Sequence, residues 1–345
     1  ANNGPTGDGN GQGPAIKDLY LDNVDQSTSG GRIIGNLENN SNQNLVITTG
    51  NQLKINGVVK DTNTTGGTIV VKADPNNSTP NGTLIFSNPA KYADNAAVGA
   101  TVEFYNKAYD CANCGYYRKS WQYFGIPVLK SNTFPTSDVT GTETINQWVE
   151  PFDGNKWQTA PYNPTVFTAF KGYEMTNSAT SVPTEVYKFI GTLNVGNATV
   201  ALTKTASVNY SGTNLIGNSY TAAIPINSDA LKFSPTITNQ TVYLFNTGTR
   251  DQWRKLNGST ASGLMAGQYL AVPIKLAGQE GIPSMIPSTH AFMVIADKAT
   301  SLTIDYSKLV KNQTITDALG NQIATRSSAT ETTATSDRKS TRLNS

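Results

Sequence analysis

Two cysteines three residues apart, Cys111 and Cys114 in Asp110-Cys111-Ala112-Asn113-Cys114-Gly115, are the sharpest chemical motif in this chain. Three chemistries use such a pair: a zinc site, a thiol–disulfide exchanger and a small structural disulfide. A Cys/His zinc site needs about four ligands. The chain holds 2 Cys and 1 His, His290, so such a site cannot be completed. A redox pair wants its first cysteine at a helix N-terminus after a strand. Here Tyr109-Asp110 and Gly115-Tyr116-Tyr117 read as a loop between strands. A disulfide, two free thiols and a redox pair all stay open on the residues alone.

Acid–base chemistry has few candidates. A Ser-His-Asp or Cys-His arrangement would have to use His290, and no G-x-S-x-G elbow is present. Glu150 and Asp153 lie close together in WVEPFDGNKW, but exposed loop acids are common and two carboxylates in one loop do not make a cleft. No phosphate loop, dinucleotide fingerprint or calcium loop occurs. The expectation is a protein without catalytic residues, metal ligands or cofactor. The aromatics are the remaining candidates. Trp121, Trp148, Trp157 and Trp253, with Tyr162 and Tyr173, could form a ligand platform, because rigid rings offer much area with few rotors. The competing reading is that they fill the core of a sandwich.

Composition narrows the class. Hydrophobic residues make up 37% and charged residues 14%, with Asn, Thr, Ser and Gly in place of charge. Such residues suit turns and the outer faces of strands and make poor long helices. The formal charge is +2, and three bases against one acid in the last nine residues account for all of it. A neutral body carries no electrostatic footprint for nucleic acid or an anionic membrane. No apolar run has transmembrane length, so direct membrane insertion is not expected. The tail DRKSTRLNS, residues 337–345, reads in frame as a common short-read sequencing adapter. The expectation is a fragment whose natural chain continues beyond about Ser336.

The elements that would position these residues are strands. Ala1–Pro14 is a Gly/Asn linker. Asp18–Leu21, Arg32–Ile34, Asn44–Thr48, Gln52–Val59, Thr68–Lys72 and Thr83–Phe86 are short apolar pulses closed by Gly, Asn or Asp. Their spacing suits the stacked rungs of a β-solenoid over 15–100, with a meander of hairpins turning at Asn56-Gly57 and Asn81-Gly82 as the alternative. Pro89–Ala100 is the one segment there with helical character. Thr101–Lys130, which carries both cysteines, reads as the hinge to an antiparallel sandwich of jelly-roll type over 101–307. In that part, Tyr123–Leu129 is a strand made irregular by Pro127. Glu185–Leu193 and Ala198–Thr203 flank Asn194-Val195-Gly196-Asn197, a hairpin signal. Residues 308–336 read as a poorly ordered connector.

Read in order, W-Q-Y-F-G-I-P-V from Trp121, K-G-Y-E from Lys171, F-I-G-T-L-N-V-G from Phe189, N-L-I-G-N-S-Y from Asn214 and G-I-P-S-M from Gly281 resemble large secreted β-rich surface proteins of Bacteroidetes-type bacteria. The resemblance covers roughly Ala15–Ser336, with Ser219 standing where that pattern usually has Pro. It implies export, by the type IX route in many such proteins, attachment at the outer cell surface, and further modules after this one. It assigns no catalytic residue. In an exported protein, Cys111 and Cys114 would close a small disulfide. The expected function is therefore a non-enzymatic scaffold or adhesion module of a larger surface protein. The alternative is a carbohydrate-binding accessory module of a glycan-degrading enzyme. The expected partners are a glycan or another surface protein.

Overall fold

The computed structural model describes residues 18–20, 32–34, 37–39, 44–57, 59–61, 68–73, 80–90, 99–106, 108, 121–131, 136–137, 143–152, 154–160, 166–177, 185–206, 209–247, 267–279 and 281–314. The described regular structure is nearly all strand, with two short 3-10 turns at Ile274–Leu276 and Tyr306–Lys308. The protein is all-β. Among the described residues, no helix is long and apolar enough to cross a membrane.

The first part forms parallel ladders. Asp18–Tyr20, Asn44–Ile47, Ile69–Val71 and Gly99–Asn106 pair in that order, all parallel. A second ladder joins Arg32–Ile34, Gln52–Ile55 and Thr83–Phe86, and a third joins Leu37–Asn39 to Val59–Asp61. The registers explain the spacing of the apolar pulses. Leu45, Ile69 and Ala100 stack across three strands, as do Ile47, Val71 and Val102, and all six are buried. Leu53 on Leu84 and Ile55 on Phe86 repeat the pattern in the second ladder. Hairpins pair antiparallel, so the meander turning at Asn56-Gly57 and Asn81-Gly82 is not what forms. Of Pro89–Ala100, residues 91–98 lie outside the described residues.

The strand Gly99–Asn106 is where the two kinds of pairing meet. One edge closes the first parallel ladder, and the other pairs antiparallel with Glu185–Thr192 over eight residues. The hairpin expected between Glu185–Leu193 and Ala198–Thr203 does not form. Glu185–Thr192 stays in this sheet, while Ala198–Leu202 pairs with Thr300–Ile304 in another. Asn194–Asn197 is therefore a crossing between sheets. Asn194 anchors it by donating to the Ser219 carbonyl at 2.9 Å.

Two four-stranded antiparallel sheets follow. One orders Gln122–Phe124, Tyr173–Asn177, Glu143–Trp148 and Trp157–Thr159. The other orders Thr213–Gly217, Ala291–Ile295, Thr241–Phe245 and Tyr269–Pro273. The expected strand Tyr123–Leu129 is shorter than anticipated. Pairing stops at Phe124, Pro127 lies in the bend, and Val128 makes an isolated bridge to Leu193.

Side-chain alternation places these sheets in layers. From the first sheet, Phe124, Ile145, Tyr173 and Met175 enter one core with Phe104, Tyr187 and Phe189. Tyr123 turns the other way and joins Leu215, Phe245, Ala291 and Met293 between the two sheets. The second sheet then sends Ile216, Val242, Leu244, Phe292 and Val294 into the main core, which also holds the residues of the parallel ladders. Both faces of the second sheet are thus packed.

The far edge of the strand Thr83–Phe86 is capped by the C-terminal half. The Leu84 amide donates to the Thr221 carbonyl at 3.3 Å, and the Thr221 hydroxyl returns a bond to the Leu84 carbonyl at 2.6 Å. The Phe86 amide donates to the Tyr306 hydroxyl at 3.1 Å. Leu309 and Asn312 are buried, so packing continues past residue 307. Asn312 donates from Nδ2 to the Gly82 carbonyl at 3.1 Å and from its backbone N–H to Thr83 Oγ1 at 2.9 Å, and its Oδ1 accepts from the Ser288 amide at 2.9 Å.

The N-L-I-G-N-S-Y and G-I-P-S-M motifs meet in space. Asn218, fully buried, donates to the carbonyls of Ala222, Ile286 and Pro287 at 3.0, 3.0 and 2.9 Å and accepts from the Tyr220 amide at 3.1 Å. The two N–H bonds of one primary amide are thereby shared among three carbonyls at the corner where the two motifs meet.

Candidate functional site

The rim of the space between the two four-stranded sheets opens as a groove of about 630 Å³. Its first wall is built by a two-stranded register. Trp148 and Trp157 are directly opposite on antiparallel strands, with ring centroids 5.1 Å apart and planes at 79°. Such edge-to-face contacts are favoured by the ring quadrupoles. The Val149 amide donates to the Lys156 carbonyl at 2.8 Å, and Gly154 takes φ +94° to close the turn between the strands.

Trp148 is fixed by its indole N–H, which donates to the Thr213 carbonyl at 2.6 Å. Tyr210 stands edge-on to it, centroids 5.8 Å apart at 82°, with 68% of its surface exposed. The second wall carries Tyr243, Tyr269, Met293 and Ile295. Behind it Tyr123 stacks on Phe245 at 4.2 Å and 12°, and the Tyr123 and Tyr269 hydroxyls lie 2.6 Å apart. Burial pushes the Tyr123 hydroxyl far up, and it pushes Tyr269 up to about 12. Both phenols are neutral hydrogen-bonding groups over the whole physiological range.

Glu150 ties Thr205 and Gly212, on either side of Tyr210 in the chain, to the end of the strand that carries Trp148. Its Oε1 accepts from the Gly212 amide at 2.8 Å, the Thr205 amide at 2.9 Å and the Thr205 hydroxyl at 3.0 Å. Burial pushes its carboxyl up, but those donors outweigh burial and hold it below the usual carboxylate range. Its Oε2 is buried without a hydrogen-bond partner, beside a smaller cavity of about 290 Å³ that also touches Thr203 and Asn214. Lys156, itself buried, donates from Nζ to the Glu150 carbonyl at 2.5 Å. A carboxyl held low by three donors is a poor general acid. Asp153, the other member of the sequence pair, lies outside the described residues.

The anticipated platform is partly assembled here. Trp148 and Trp157 line the groove, and Trp121 packs half-buried against the same inter-sheet cluster. Tyr173 does not join them. It lies fully buried in the other core, 5.5 Å from Phe124 and 5.1 Å from Phe167, with its hydroxyl accepting from the Thr168 amide at 2.8 Å. Tyr162, Trp253, Cys111 and Cys114 lie outside the described residues. His290 is buried, bridges to Phe124 and does not line the groove. Among the described residues, no group of three or more His, Cys, Asp or Glu could hold a metal.

Sequence reasoning missed Tyr210, Tyr243 and Tyr269. Alternation in Thr241–Phe245 groups Tyr243 with Phe245 on one face without saying which face that is. There Val242 and Leu244 serve one core, while Tyr243 and Phe245 face the opposite sheet.

With this geometry in place, one relative stands out. The chain is 56% identical over 317 residues, 91% of its length, to the minor fimbrium subunit Mfa5 of Porphyromonas gingivalis. The match spans 25% of that protein, so the chain corresponds to about a quarter of the curated relative. No family model matches the chain. No solved structure matches it either.

Proposed function

We propose that this chain is a non-enzymatic module of a larger fimbrial or adhesion protein, located outside the cell at its surface. The 56% identity to a minor fimbrium subunit over 91% of the chain carries this reading. The architecture agrees with it. Among the described residues, Glu150 is engaged by Thr205 and Gly212, and Asn218 by three carbonyls. In this reading the parallel ladders over 18–106 are a short solenoid. Its last strand is shared with the sandwich that follows, a stiff joint suited to a component that bears load outside the cell. Partners are other fimbrial or surface proteins.

The test is immunogold labelling of intact cells, and of fimbriae sheared from them, with antibody raised against this chain. Gold on the cell exterior and along or at the ends of fimbriae is the expected result. Label confined to the cytosol, with none on intact cells, would overturn the reading.

A further inference from the structure

We propose that the aromatic groove between the two four-stranded sheets is a binding site for an uncharged oligosaccharide. This goes beyond a scaffold role and does not depend on the fimbrial assignment. At about 630 Å³ the groove falls in the range of small-ligand sites. Its walls are rings: Trp148 and Trp157 on one side, Tyr243 and Tyr269 on the other, and the largely exposed Tyr210 at the mouth. Rings held by neighbours keep flat apolar faces in place at small entropic cost. A sugar presents matching C–H faces, and its hydroxyls need polar partners at the edge. Asn155 supplies an amide there. The Asn155 side-chain oxygen accepts from the Trp157 amide at 3.1 Å, which leaves its NH2 group as the donor.

Charge selects the ligand class. Among the described residues no carboxylate or guanidinium lines the groove, and the one charged lining residue among them is Lys156. That ammonium is buried and committed to the Glu150 carbonyl at 2.5 Å. An ionic ligand would lose hydration without gaining a counter-charge. A proline-rich peptide is the other ligand that aromatic-lined grooves take, and it is the competing occupant in the test.

The experiment titrates the full chain, by calorimetry and tryptophan emission, with β-1,4-glucose, α-1,4-glucose and N-acetylglucosamine hexasaccharides. A heparin hexasaccharide and a decaproline peptide run beside them. At least one neutral hexasaccharide should bind and shift the emission, and the heparin and proline probes should not. Tyr210→Ala, at a site 68% exposed and so of small cost to folding, should weaken binding at least tenfold. Leu129→Ser, 51% exposed and outside the groove, should bind like the parent chain. Binding of no neutral sugar at about 10 mM, or binding only of heparin or decaproline, would overturn the proposal. So would neutral-sugar binding that Tyr210→Ala leaves unchanged, since that places the site elsewhere. None of these results bears on where the protein is displayed.

Discussion

Gly125 and Gly217 approach so closely that a methyl group built on either would lie 2.5 Å from the Cα of the other. The two residues belong to W-Q-Y-F-G-I-P-V and N-L-I-G-N-S-Y, and their contact brings the first four-stranded sheet against the second. Beside them the same methyl on Gly217 would also meet the Lys171 carbonyl at 2.5 Å. The obstacles are backbone atoms, which cannot swing aside as a side-chain tip can.

Gly125→Ala or Gly217→Ala should therefore cost about 3 kcal/mol through overpacking. A urea melt of each variant reads this as a lowered midpoint. An unchanged midpoint in both would show that the sheets can part freely, against the geometry described.

Asn218→Ala strips the donor from the Ala222, Ile286 and Pro287 carbonyls and the acceptor from the Tyr220 amide. Buried polar groups left unpaired make this a loss of about 3 kcal/mol. Asn218→Asp keeps the acceptor but turns an oxygen toward the carbonyls. It should be more destabilising at pH 7 than at pH 4, where a protonated Asp can donate again. Melts at the two pH values separate the cases.

Acid should destabilise the protein in a defined window. Donors hold the Glu150 carboxyl below 4.5, and its contribution is complete above that value and is lost as pH falls through the lower folded value. Asp305 extends the window. Bonds from Lys232 Nζ at 2.6 Å and from Ser307 hold it at about 2, so its contribution, complete above 3.8, is lost as pH falls toward 2. Glu150→Gln should flatten the upper part of this profile and lower stability at pH 7 by about 1.5 kcal/mol. An identical pH profile in parent and variant would remove Glu150 from the account.

Tyr306→Phe removes the acceptor for the Phe86 amide, and with it one of the bonds that cap the ladder edge. The loss should be about 2 kcal/mol. Native-state hydrogen exchange should show faster exchange at Phe86 than in the parent chain. Equal exchange rates would mean that the cap does not hold this edge closed.

Much of the local structure was legible in the residues. Short pulses such as Asn44–Thr48 and Thr83–Phe86, closed by Gly and Asn, became strands because β-branched and apolar residues at period two suit a pleated surface and the closing residues suit turns. Trp148 and Trp157 could be picked out as candidates for a shared surface by type alone. Tyr173 could not be separated from them, since a tyrosine two residues from a lysine looks the same in a core as on a rim.

By itself, then, the sequence determined the class: strands, tight polar turns, a neutral body and an aromatic-rich second half. Only the tertiary structure decided the pairing. Glu185–Thr192 chose Gly99–Asn106, some eighty residues upstream, over the neighbouring Ala198–Leu202. Alternation tells a strand which side chains share a face, but it carries no information about which edge it will join. Where a sheet is packed on both faces, as Thr241–Phe245 is, both sets of side chains are apolar or aromatic and the pattern cannot say which faces the core and which the groove. Long-range backbone hydrogen bonds and the close approach of Gly125 to Gly217 settle that choice.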